Sequence, residues 1–285
     1  MRLGPSHDNP MRRLVAVLLV ASLAAACSNG GGIEVELGEP GDAGSTTTGQ
    51  VGVGGGEGQQ PPPKPAGDED DGSSGSPGAF ARTLLRPEPA TTVVFELFQQ
   101  AGAEPRSGSV DHAKSVLRSV VHKSVAEPSP IEVPGGAQQW TPAAIRETAD
   151  RLTKAGQGGG RAVLHVLFLR GSLQGNDEVL GVAVRGDVLA IFSDSVAAAG
   201  TPLVSGRAIE DAVLMHELGH LLGLVDLALD TGRDDPDHPG HSRNPESVMY
   251  WAVESSLVTQ VLSGGPPRDF DRQDLADLAA LRDGA

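Results

Sequence analysis

Apolar side chains fall into two regimes along the chain. Up to about residue 78 they show no period that would fit a packed helix or strand beyond one short run, and from about Phe80 onward the pattern is regular. The run Thr92 to Phe98, rich in β-branched and aromatic residues, predicts a strand. Val110, Ala113, Val116, Leu117, Val120 and Val121 recur at helical spacing, so Val110 to Val121 predicts an amphipathic helix. A short extended piece is expected at Ile131 to Val133. Thr141 followed by Pro142 has the form of a helix cap and first turn, and Ala144, Ile145, Ala149 and Leu152 carry that helix toward the glycines at 158 to 160.

Arg161 to Leu169 is nearly continuous apolar, as a central strand covered on both faces would be. His165 inside it is read as a core histidine. Val179 to Val184 and Val188 to Phe192 predict a hairpin closed at Arg185-Gly186-Asp187, a tripeptide better explained by the turn than by adhesion. Ser205 can cap a helix whose buried side is Ile209, Val213, Leu214, Leu221 and Leu222 and which Gly223 ends. A last capped helix is expected over Asp269 to Ala285, with Phe270, Leu275, Leu278 and Leu281 turned inward. Strand, helix, weak strand, helix and further strands predict an α/β (α+β) fold: a twisted mixed sheet with helices packed on it.

Composition explains the unpatterned half. Gly (38) and Pro (21) are concentrated before residue 80, and residues 28 to 78 hold nine acidic side chains against one basic, Lys64. Such a segment cannot bury enough apolar surface to order itself and predicts an extended tether. Before it, Arg12 and Arg13, the apolar run Leu14 to Leu23 and Ala24 to Ala26 precede Cys27, the only cysteine. That is the layout of a bacterial lipoprotein signal peptide, with Cys27 the lipidation site. The expected organisation is therefore a signal over 1–27, a linker over 28–78 and one domain over 79–285, exported and lipid-anchored in the cell envelope, at the outer membrane or cell surface. A lipidated Cys27 leaves no thiol for a disulfide or a metal. The formal net charge of −15 argues against nucleic acid or an anionic membrane surface as a partner, leaving the lipid anchor as the only membrane contact.

The chemistry concentrates between Met215 and Trp251. His216 and His220, four apart, share one helix face with Glu217 beside them, the HExxH arrangement of a zinc site with a general base. HELGHLLGL followed by His241, Ser242, Pro245, Glu246, Met249 and Tyr250 in the register HSxxPExxMY resembles the metzincin clan of zinc metalloproteases, most closely its matrixin branch. The resemblance implies a Met-turn with Met249 beneath the metal, Tyr250 in the pocket wall, and a peptide substrate laid along an exposed sheet edge, for which the hairpin at 179 to 192 is the candidate.

One departure stands out. Metzincins place the third metal ligand three residues after the glycine, and that position is Asp226, while His241 lies fifteen residues further on. His241 is the preferred third ligand by its spacing to Met249, and Asp226 is the alternative by its spacing from Gly223. Asp230, Asp234, Asp235 and Asp237 in between could hold Ca2+ by the same resemblance, though a solvated acidic loop explains them too. The expected function is zinc-dependent endopeptidase action on protein or peptide substrates, with Glu217 as base. The alternative is a non-enzymatic zinc-binding envelope lipoprotein.

Overall fold

A computed structural model describes residues 75–262 and 264–284. The signal peptide, Cys27 and nearly all of the linker lie outside the described residues.

In chain order the elements are α1 (Ala81–Leu85), β1 (Thr92–Gln99), α2 (Ser109–Val121), β2 (Ser124–Ala126), β3 (Ile131–Glu132), β4 (Gln138–Trp140) and α3 (Pro142–Leu152). There follow β5 (Arg161–Leu169), β6 (Gly171–Leu173), β7 (Gly181–Arg185), β8 (Val188–Phe192), α4 (Ser193–Ala199) and α5 (Gly206–Leu221). The chain closes with β9 (Asp234–Asp235), β10 (His238–Ser242), a 3-10 turn (Trp251–Glu254), α6 (Val258–Val261) and α7 (Arg272–Asp283).

The main sheet has the order β2-β1-β5-β8-β7, with β3 also beside β1. Its pairings are parallel except for the edge strand β7, which runs antiparallel to β8. This is the mixed sheet with packed helices that the element order predicts. The continuous apolar run of β5 has the predicted cause: the strand is central, and its alternate side chains feed two cores. Leu164, Val166 and Phe168 join Leu117, Val213 and Leu281 on the α2, α5 and α7 side, while Leu167 and Leu169 join Trp140, Ile145 and Ala149 on the α3 side.

Local signals place the helix starts well. Thr141 Oγ1 accepts from the Ala144 amide at 3.0 Å, and Ser205 Oγ from the Ala208 amide at 3.2 Å. The tripeptide after β7 is a structural turn, because Asp187 is buried and Arg185 is held by Asp150 and Asp187.

Three expectations change. Val179 and Leu180 do not belong to the hairpin strand: Val179 bridges Ser255, and the Leu180 amide donates to the Glu254 carbonyl at 2.8 Å. Every residue of α5 from Ile209 to Leu221 is buried, not one side only, because sheet, 3-10 turn, α2 and α4 all pack against it. Leu275 is 44% exposed and Asp274 is fully buried. Asp274 accepts from Ser247 Oγ and pairs with Arg233, and one helical step of about 100° then carries Leu275 to the surface.

Candidate metal centre

Helix α5 presents His216 and His220 one turn apart, with their Nε2 atoms 3.1 Å from each other. His216 is held by its other nitrogen, since Nδ1 lies 2.7 Å from the Val248 carbonyl. A carbonyl only accepts, so Nδ1 carries the proton and Nε2 turns its lone pair toward His220. Burial, then the neighbouring histidines, pushes the pKa of His216 down to about 3, and burial does the same to His220. Both rings are thus neutral at pH 7, the form that binds metal.

His241 arrives from β10. Gly240, at φ +85°, makes the bend before it, and the Ser242 amide donates to the Met249 carbonyl at 2.8 Å, which runs this strand beside the segment 247–250. Its ring centroid lies 5.1 Å from those of both His216 and His220. Met249 is buried beneath the helix, where a Cβ on Gly219 would stand 2.3 Å from its sulfur. Gly219, just before His220, therefore leaves the space that the methionine sulfur occupies. The Tyr250 amide donates to Ser247 O at 3.1 Å, closing a tight turn, and Tyr250 is half-buried against the core.

Asp226 is not part of this group. Its carboxylate accepts from the Thr231 amide and hydroxyl, both at 2.6 Å, and from the Asp234 amide at 3.3 Å. Val225 and Asp226 both sit at positive φ, so the chain after Gly223 turns sharply and uses the aspartate to brace the loop. The structure thus brings His241, not Asp226, to the two helix histidines. Nor do Asp230, Asp234, Asp235 and Asp237 converge on a common point: among the described residues the group of donors within 4.8 Å of one another is His216, His220, His241 and Glu254. Asp235 instead accepts from His238 and from the Asp237 amide.

Glu254 is the member that sequence reasoning missed. Its Oε1 lies 3.2 Å from His241 Nε2 and its Oε2 3.8 Å from His216 Nε2. Nothing in the motif register flags it; only its place shortly after the methionine turn could have. Burial works to lower the pKa of His241, but Glu254 outweighs it and holds the ring above the usual histidine value.

Glu217 has both oxygens buried without a hydrogen-bond partner of good geometry. Burial, with the nearby Glu254 charge adding to it, raises its pKa well above the usual carboxylate value. It lies under β7, where a Cβ on Gly181 would come within 3.0 Å of its Oε1.

These donors fit a zinc ion. Ligands about 2.0–2.1 Å from zinc at tetrahedral angles stand about 3.3 Å apart, and the spacings of 3.1 and 3.2 Å match that edge. A buried carboxylate with no hydrogen bond of good geometry, on the helix that carries two of the imidazoles, is costly unless a bound group uses it.

No family model matches the chain, and no curated protein matches it in sequence. Among solved structures it is similar to archaemetzincin from Methanopyrus kandleri, at 18% identity over 69% of this chain and 98% of that one, TM-score 0.46. It is also similar to archaemetzincin from Archaeoglobus fulgidus complexed with malonate, at 18% over 65% and 99%, TM-score 0.40. Metalloproteinase-II from Bacteroides fragilis shows 14% identity over 70% and 56%, with TM-score 0.40.

Proposed function

We propose that this chain is a zinc-dependent endopeptidase of matrixin-like type, tethered to the cell envelope by lipid on Cys27. The observation that carries the reading is the carboxylate of Glu217, buried without a hydrogen-bond partner of good geometry and next in the chain to His216, whose ring converges with those of His220 and His241. A purely structural site has no use for a buried base.

In this reading the three histidines hold zinc, which when bound supplies Lewis acidity toward a peptide carbonyl and lowers the pKa of water. Glu217 accepts the proton of the attacking water and returns it to the leaving amine. Met249 forms the floor, and the Val248 carbonyl keeps His216 in the ligating tautomer. The substrate adds as a strand along the outer edge of β7, whose own backbone comes close to Glu217 at Gly181.

The test is cleavage of denatured casein by the zinc-loaded full chain. The wild type should cut and Glu217→Ala should not, at equal zinc content; zinc-loaded wild type that leaves casein intact would sink the reading. A second reading, a non-enzymatic zinc-holding lipoprotein, draws support from Glu254, which brings the donors to the number found in closed structural sites. The same assay separates the two. The anchor is tested apart from activity: radiolabelled palmitate should enter the wild type and not Cys27→Ser.

A further inference from the structure

Glu254 ends the 3-10 turn that follows the methionine turn, and its backbone is pinned to the strand end before β7. The Leu180 amide donates to its carbonyl at 2.8 Å, and the Ser256 amide donates to Glu178 O at 2.7 Å. The side chain points back to the histidines. Its two oxygens sit at 3.2 and 3.8 Å from the Nε2 atoms of His241 and His216, close to the edge of a zinc tetrahedron. A catalytic zinc leaves its fourth position for water, and a carboxylate at this spacing competes for that place.

The carboxylate differs from the imidazoles in one respect. His216 is fully buried and locked by Val248, whereas the Glu254 side chain is 28% exposed and lines an open cleft of about 360 Å³ together with Val179, His238 and Trp251. It therefore stands where a substrate carbonyl has to enter. Its flexible side chain can swing into the cleft while Leu180 keeps the backbone fixed.

We propose that Glu254 is a displaceable fourth ligand, occupying the open position of the metal in the resting protein and leaving it when a peptide binds. This rests on the zinc site proposed above. A closed form populated to nine-tenths would lower the apparent kcat/KM about tenfold. The fold thus carries its own restraint on the site, supplied by the chain and needing no thiol.

The experiment is zinc-edge X-ray absorption on the full chain, wild type against Glu254→Ala, with the milder Glu254→Gln as a second variant and peptide hydrolysis measured in parallel. The expected wild-type sphere is three imidazoles and one carboxylate, the carboxylate being replaced by water in the variants while kcat/KM rises about tenfold. Identical spheres in all three proteins, or an altered sphere without a gain in kcat/KM, overturn the inference and leave the zinc site standing. Failure of the wild type to take up stoichiometric zinc overturns both.

Discussion

Among the described residues, two buried clusters of histidine and carboxylate stand out, and one of them is short of partners. On the α3 face of the sheet, Glu96 accepts from Thr153 Oγ1, the Lys154 amide and the Ala155 amide at 2.6, 2.9 and 3.0 Å. Asp187 beside it takes Arg185 and Gln157, and His165 contacts Asp187 O and Thr153 Oγ1, each at 3.3 Å. Every carboxylate there is satisfied by the protein itself. On the other side, the Nε2 atoms of His216 and His220 lie 3.1 Å apart with the His241 ring 5.1 Å from both, and Glu217 accepts no hydrogen bond of good geometry. Equal burial of similar groups thus separates into a network that holds the fold and a site prepared for something else. The buried polar group without a partner is the informative one.

The largest expected effect is at Glu217. Glu217→Gln should lower kcat/KM by about 10²–10⁴. Its urea midpoint should stay level or rise, because an unpartnered buried acid adds nothing to stability. A marked loss of stability instead would move Glu217 into the structural class and break the contrast.

Next comes the satisfied cluster. Glu96→Ala leaves buried donors without an acceptor and should cost about 3 kcal/mol in urea unfolding. Bound zinc, measured by atomic absorption, should remain at wild-type stoichiometry. Loss of zinc along with stability would show that the two clusters are not independent.

The smallest effect concerns acid. Burial works to raise the pKa of Asp187, but His165 and Arg185 overcome it and hold it below the ordinary 3.8. A carboxyl with a depressed folded-state pKa contributes stability that is present above 3.8 and lost as pH falls through the lower folded value. Asp187→Asn should therefore be less stable than wild type by about 2 kcal/mol at neutral pH, with the gap closing below 3.8 in a pH series of thermal melts. A constant gap would place the loss in packing, not in charge.

The contrast also explains what the sequence made legible. β5 could be read because a strand covered on both faces needs an unbroken apolar run, and α5 because a cap, a helical run and HExxH coincide. His165 could be assigned to the core for want of a spaced partner. Its actual partners, Glu96 and Asp187, lie far away in sequence and meet it only through sheet register. The third histidine stayed ambiguous because two spacing rules conflict across the loop, and only folding shows Asp226 engaged with Thr231 and Asp234. Glu254 was invisible, since its position depends on a pairing between residues 254–256 and 178–180 that no local pattern encodes. Leu275 misled because helical spacing treats a leucine as a better core residue than an aspartate, whereas Asp274 has two tertiary partners waiting.

The central claim is that the cluster lacking partners is the metal site. Anomalous diffraction at the zinc edge, from crystals of the full chain grown with zinc, tests it most directly. The account predicts one strong peak bounded by His216, His220 and His241, and none near Glu96, His165 and Asp187. A peak at the second cluster, a peak completed by Asp226 in place of His241, or no peak at the three histidines would contradict it.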